Sequence, residues 1–93
     1  MKSNHTQGEW AYDVNANKGF DIYLNGSIKV IANVLHKDVS YMPSKQEAEA
    51  NARLIAAAPD MYDSLKEIKG LVGIDGKIAE IIKAALSKAE GNI

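Results

Sequence analysis

Apolar and polar residues alternate with a period of two in the first third of the chain. In the segment EWAYDVN, Trp10, Tyr12 and Val14 alternate with smaller or polar residues, which is the pattern of a strand with one buried face. After a turn composition, the segment FDIYLNGSIKVIANV holds two β-rich runs joined at Asn25-Gly26, a strong hairpin signal. The pattern therefore predicts a three-stranded antiparallel meander over residues 9–35.

The register of the predicted hairpin depends on the length of its loop. A two-residue turn mixes apolar and polar faces, whereas a three-residue loop, Leu24-Asn25-Gly26, pairs Ile22 with Ile28 and Phe20 with Val30. We predict the second register because it keeps the apolar side chains on one face. The predicted core face then comprises Phe20, Ile22, Ile28, Val30, Ala32 and Val34, and it leaves Ile31 and Leu35 on the other face.

An alanine-rich helix is predicted over residues 44–69. Ser44 and Glu47 have the spacing of a capping box, in which the serine hydroxyl accepts a hydrogen bond from the first turn. Pro59 has no N–H and clashes with the preceding turn. The helix therefore kinks there, or it ends and a new helix begins with Pro59 at its first position.

Residues 76–90 predict a C-terminal amphipathic helix, since apolar residues recur there at helical spacing. Strands followed by helices define an α+β fold. We predict one domain over 1–93: the N-terminal three-stranded antiparallel β-meander packed against two to three C-terminal helices.

The alanines of the long helix supply little apolar area but allow another backbone to approach closely. The simpler interpretation places this helix flat on the sheet, with Leu54 and Ile55 as its larger contacts. The alternative is a self-association surface. The candidate interface residues are Ala48, Ala52, Ile31, Leu35, Ile82 and Leu86.

Composition narrows the classes of function. The chain has 93 residues, a formal net charge of −1 and no cysteine, so disulfides and thiolate metal sites are excluded. The basic residues are scattered, which does not favour nucleic-acid binding. The N-terminus carries no apolar run, and no stretch approaches a membrane span in length. We expect a homo-oligomer, because small cores often need oligomerisation, and we expect it in the cytoplasm.

Candidate chemistry is sparse. His36 with Asp38 and Ser40 in one loop is weak evidence for a catalytic base. The three carboxylates within 60–67 line one helical side, but an exposed acidic face explains them better than a bound cation. We therefore expect no enzyme activity, no metal and no cofactor.

Five side chains are candidates for a small-ligand pocket. Asn51 is a poor interior helix residue, and Arg53 beside it has the chemistry of an anion clamp. Tyr12, Tyr23 and Tyr41 supply aromatic surfaces suited to base stacking or to protein interfaces. A pocket between protomers would combine them, whereas the simpler interpretation gives Asn51 a structural role.

The segment EANARLIAAAPD, Glu49 to Asp60, resembles a signature of small proteins from tailed phages and prophages. Their pattern includes an opening Gly-x-Trp, matched by Gly8-Glu9-Trp10, and an Ile-Ala near the end of the hairpin, matched by Ile31-Ala32. The resemblance covers about two thirds of the chain, and Met61-Tyr62 departs from it by replacing a usual Leu-Leu.

The resemblance implies a gene of a mobile element, and the family has no single established reaction. We therefore expect a phage or prophage accessory protein that acts by non-catalytic binding and interferes with a host protein or defence system. One alternative is a sponge that sequesters a small nucleotide-like immune signal. A further alternative is a structural oligomerisation module.

Overall fold

The computed structural model describes residues 4–15, 19–37, 41–71 and 76–91. Within these ranges three strands precede two helices, so the predicted α+β class is confirmed, with two helices where two to three were predicted. The elements are β1 (Trp10–Asn15), β2 (Gly19–Leu24), β3 (Val30–Leu35), α1 (Lys45–Lys69) and α2 (Gly76–Ala89). Among the described residues, no helix combines the length and the apolar character that crossing a membrane requires.

The three strands form an antiparallel sheet in the order β1-β2-β3, as the meander predicts. β1 pairs with β2 without interruption, from Trp10 opposite Leu24 to Asn15 opposite Gly19. Because side chains alternate between faces along a strand, Phe20 and Ile22 point to one face of β2. These two side chains are buried, and that face is the core face.

The opening Gly-x-Trp has a local structural reason. Gly8 has a φ of 110°, which L side chains rarely adopt, and a Cβ there would lie 2.8 Å from the Leu24 side chain. The Glu9 carbonyl accepts a hydrogen bond from the Asn25 backbone N–H at 2.9 Å. The Trp10 indole N–H donates to the Thr6 carbonyl at 3.0 Å. The opener therefore fixes the start of β1 against the end of β2.

The predicted register between β2 and β3 is wrong by four residues. Phe20 pairs with Val34 rather than with Val30, and Ile22 pairs with Ala32 rather than with Ile28. Gly26, in the turn between β2 and β3, has a φ of 80°. The Leu24 N–H donates a hydrogen bond to the Lys29 carbonyl at 3.0 Å. The loop is thus longer than predicted. A shift of four keeps the parity of the strand, so both registers satisfy the apolar alternation.

A β-bulge exchanges the roles of two neighbouring residues in β3. Tyr23 pairs with Val30 and Ile22 with Ala32, so Ile31 is the extra residue on the bulged strand. Ile31 packs against the core, whereas Val30 is 52% exposed. The prediction of Val30 inside and Ile31 outside is therefore wrong, because one inserted residue inverts the alternation on one side of the bulge.

The chain divides into two compact units, and the first, Thr6–Pro59, contains the sheet. Its core lies between the sheet and α1. Ala48 and Ala52 of α1 are fully buried there with Phe20, Ile22 and Val34 of the sheet. The small side chains let α1 lie close to the sheet, as the simpler interpretation of the alanines predicts. Ile55 also packs on this core. Leu54 does not pack on the core. It lies one position before Ile55 in α1, points away from the sheet and is 62% exposed.

The capping serine of α1 is where the sequence predicts it. The Ser44 hydroxyl accepts a hydrogen bond from the Glu47 N–H at 3.2 Å, and the Ser44 carbonyl accepts one from the Ala48 N–H at 2.8 Å. α1 then continues through Pro59 to Lys69 as a single helix, so the alternative of a new helix beginning at Pro59 is wrong. Pro59 is buried, on the same side of α1 as Ala48 and Ala52.

The second unit comprises Met1–His5 and Asp60–Ile93. Its buried cluster consists of Tyr62, Ile82 and Leu86, with Leu65 packed against it. The Tyr62 hydroxyl donates to Glu90 Oε2 at 2.5 Å, which connects α1 to the residue that follows α2. Lys66 Nζ lies 5.4 Å from the centre of the Tyr62 ring.

Only part of the predicted apolar face of α2 is buried. Ile82 and Leu86 are at most 5% exposed, whereas Ile78 is 47% and Ile81 is 62% exposed. The face that the sequence predicts is therefore wider than the one that the second unit covers. The prediction of a single domain over 1–93 stays a prediction.

Candidate functional site

The face of the sheet opposite the core has a polar centre. Asp21 Oδ1 accepts hydrogen bonds from the side-chain amides of Asn15, at 3.0 Å, and of Asn33. Asp13 lies opposite Asp21 in the register, and its own Oδ1 accepts a hydrogen bond from the Val14 N–H at 2.8 Å. Amide donors from both neighbouring strands thus satisfy one carboxylate of the middle strand. This arrangement holds the three strands in register.

The polar centre does not amount to a metal site. Among the described residues there is no group of three or more His, Asp or Glu side chains placed to hold an ion. The two asparagine amides present their N–H groups to Asp21, and an N–H donor cannot ligate a cation. The centre is therefore explained by strand pairing.

Apolar side chains are exposed along the third strand and the loop before it. Ile28 is 99%, Val30 is 52% and Leu35 is 49% exposed. We call these three residues the outer-strand patch. β3 is an edge strand in the sheet order. An edge strand offers unpaired backbone groups as well as side chains to another chain.

Lysines flank the outer-strand patch. Lys29 lies between Ile28 and Val30, Lys37 follows two residues after Leu35, and both lysines are exposed. Lysines beside an edge strand oppose indiscriminate strand pairing. An apolar patch bordered by charge is typical of a surface that selects its partner.

The predicted ligand residues of α1 diverge. Asn51 and Arg53 are both exposed, and positions two apart on an α-helix lie about 200° apart around its axis. Arg53 Nη1 lies 3.9 Å from Glu49 Oε2 in an exposed ion pair. The side chains of Asn51 and Arg53 therefore point in different directions from α1 and do not converge on one small molecule.

The three tyrosines lie in different environments. Tyr12 packs against the core, with its ring centre 6.2 Å from that of Phe20. Tyr23 pairs with Val30, on the opposite face of the sheet, and Tyr41 is 83% exposed. Because the sheet separates Tyr12 from Tyr23 within one copy, the nucleotide sponge stays a prediction from the sequence.

Most of the predicted interface residues are buried within one copy. Ala48, Ala52 and Ile31 belong to or pack on the sheet core, and Ile82 and Leu86 belong to the cluster around Tyr62. Leu35 differs, because it is half exposed on the outer-strand patch.

The weak catalytic candidate lies partly outside the described residues. The His36 ring centre lies 6.1 Å from that of Phe20, next to the end of β3. Asp38 and Ser40 are outside the described residues. His36 is therefore placed beside the core aromatic ring.

Sequence reasoning misses two surfaces. It assigns Ile28 and Val30 to the core, because no signal in the alternation reveals the longer loop, which shifts the register by an even number of residues, or the one-residue bulge. The second surface is on α1, where Leu54, Met61 and Ile68 are 62%, 43% and 40% exposed. The signal that identifies it is their spacing of seven residues.

The order of strands and helices defines a small α+β protein. Comparison with family models identifies the family: the model described as Salmonella phage P22 protein Y8K6 matches residues 1–93. The chain belongs to this family, and the expected resemblance to phage proteins is confirmed at that level. Searches of the curated proteins and of the solved structures give no match.

Proposed function

We propose that this phage protein acts by non-catalytic binding, and that it contacts a host protein through the outer-strand patch. The supporting observation is the exposure of Val30 and Leu35 on the edge strand β3 and of Ile28 in the loop before it. The family adds support for the setting, since a phage protein is made inside a bacterial cell. Interference with a host protein or defence system follows as the consequence of that contact.

The exposed aliphatic side chains of the patch suit a protein partner. Burying one large aliphatic side chain contributes about 1.5–3 kcal/mol, and a few such anchors supply most of the affinity of an interface. Ile28 is almost fully exposed in the loop before β3, so it can enter a pocket without any rearrangement of the sheet. The edge of β3 can add backbone hydrogen bonds to an extended segment of the partner.

Ile28→Asp tests the proposal. The side chain is 99% exposed, so the substitution leaves folding intact but places a charge within the proposed contact. Tagged wild-type and variant proteins are produced in the bacterial host and purified, and co-purifying proteins are quantified by mass spectrometry. We expect one host protein in near-stoichiometric amount with the wild type and at least ~10-fold less with the variant, the effect of about 1.4 kcal/mol.

The matched control is Ile81→Asp, which changes an exposed isoleucine of α2 in the same way. It should retain the host protein. Equal loss in both variants, or no stoichiometric protein with the wild type, contradicts the proposal. Native mass spectrometry of the purified wild type distinguishes the proposal from the nucleotide sponge. A nucleotide-sized adduct in place of a protein partner would favour the sponge.

A further inference from the structure

α1 carries an exposed apolar seam with heptad spacing. Leu54, Met61 and Ile68 recur every seven residues and are 40–62% exposed, and smaller exposed residues lie between and before them, at Ala50, Ala57 and Ser64. We call these six residues the α1 seam. Met61 lies nine residues after the buried Ala52 in the same helix, which places the two side chains about 180° apart around the axis of α1. Apolar residues repeated every seven positions are typical of helices that pair with another helix.

We propose that the α1 seam packs against the same seam of a second copy, with the two helices antiparallel. In the antiparallel register centred beside Pro59, Leu54 lies opposite Ser64 of the second copy. Met61 then lies opposite Ala57, and Ile68 opposite Ala50. Every layer sets a large side chain against a small one, which is the arrangement that fills a helix interface without gaps or overlaps. Such a contact is isologous and closes as a dimer.

Charges beside the seam favour the antiparallel orientation. Arg53 and Glu67 border the seam on one side, and the antiparallel register brings Arg53 of each copy to Glu67 of the other. The contact of Arg53 with Glu49 in its own helix is 3.9 Å long and exposed, so exchanging it costs little. The two Asp60 side chains meet near the symmetry axis, and this single like-charge contact is outnumbered by the two Arg53–Glu67 pairs.

A parallel pairing of the seam has no such compensation. It places Arg53 against Ala58 and Asp60 against Leu65 of the second copy, by the usual contacts between positions bordering a heptad seam. Neither charge then finds an opposite charge. The seam and its borders therefore specify the antiparallel dimer, a property separate from the contact with a host protein.

Charge exchange between Arg53 and Glu67 tests the dimer. Sedimentation equilibrium of the wild type is expected to give a dimer. Arg53→Glu turns two attractions into two repulsions and should raise the dissociation constant at least ~10-fold, since both symmetry-related pairs change sign together. The double variant R53E/E67R restores both pairs and should return the constant to the wild-type value. Lys83→Glu on α2 is the matched control for a charge reversal away from the seam and should leave the constant unchanged.

A monomeric wild type overturns the proposal, and so does a double variant that dissociates as readily as Arg53→Glu. Far-ultraviolet circular dichroism of each variant verifies that α1 is intact, because the glutamate introduced by Arg53→Glu also repels Glu49 within the helix.

Introduced cysteines report the orientation directly, since the natural chain has none. Positions 50 and 68 are 18 residues apart, about 27 Å along a helix, which is too far for a disulfide within one chain. The double variant A50C/I68C should form a covalent dimer on oxidation, and Ala50→Cys alone should not. Cross-linking by Ala50→Cys alone would indicate parallel helices, and no cross-linking by either variant would indicate no seam contact. Both results contradict the proposal.

Discussion

At the scale of single residues, Ala52 is the position that most constrains the sheet core. It has no exposed surface and lies among Phe20, Ile22 and Val34. Ala52→Leu replaces a methyl group with an isobutyl group where the backbone of α1 approaches the sheet. Because the core cannot absorb the added volume, we expect the free energy of unfolding to fall by about 1–3 kcal/mol. Urea denaturation, followed by circular dichroism, measures the change.

Ala84→Leu is the control for Ala52→Leu, because it makes the same substitution at an exposed position of α2. It should change stability by no more than about 0.5 kcal/mol. Equal denaturation midpoints for Ala52→Leu and the wild type would mean that α1 does not approach the sheet as closely as the buried alanines indicate.

Single residues also show where sequence reasoning succeeds and where it fails. Ser44 is identifiable as the cap because a serine three residues before a glutamate is the sequence signature of a capping box at the start of a helix. The sequence predicts Arg53 as a ligand clamp because guanidinium groups bind anions, yet its surroundings are an exposed helix surface and Glu49. Chemistry intrinsic to a side chain is readable from the sequence, whereas convergence of several side chains depends on the packed fold.

At the scale of elements, the β-bulge in β3 decides which of two adjacent residues supports the core. Ile31 packs on the core and Val30 is half exposed. We expect Ile31→Ala to lower the free energy of unfolding by about 1–2 kcal/mol, less than for a fully buried isoleucine. Val30→Ala should cost about 0.5 kcal/mol or less. Both variants lose a β-branched side chain, so the difference between their denaturation midpoints shows which of the two residues packs on the core at the bulge. A larger cost at Val30 would mean that the bulge is misplaced.

The elements themselves are predictable from the sequence, and their details are not. Alternation at Trp10, Tyr12 and Val14 identifies β1, and the capping signal identifies the start of α1. Proline costs about 3 kcal/mol relative to alanine in a helix interior, which favours a break at Pro59. The helix continues because Pro59 is buried on the side of α1 that faces inward, and tertiary packing outweighs local propensity. No local pattern carries that information.

At the scale of the whole molecule, the two proposed contacts use different elements and should be separable. The outer-strand patch belongs to β3 and its loop, and the α1 seam belongs to a helix. Arg53→Glu should therefore weaken the dimer but still capture the host protein, with a loss of capture no larger than the loss of bivalent attachment explains. Ile28→Asp should lose the host protein but remain a dimer by sedimentation equilibrium.

Capture is compared at equal protomer concentration, because a dimer offers two sites per particle. If Arg53→Glu abolishes capture at every concentration, the binding site needs both copies. If Ile28→Asp produces a monomer, the outer-strand patch is itself the self-association surface, and the seam is not.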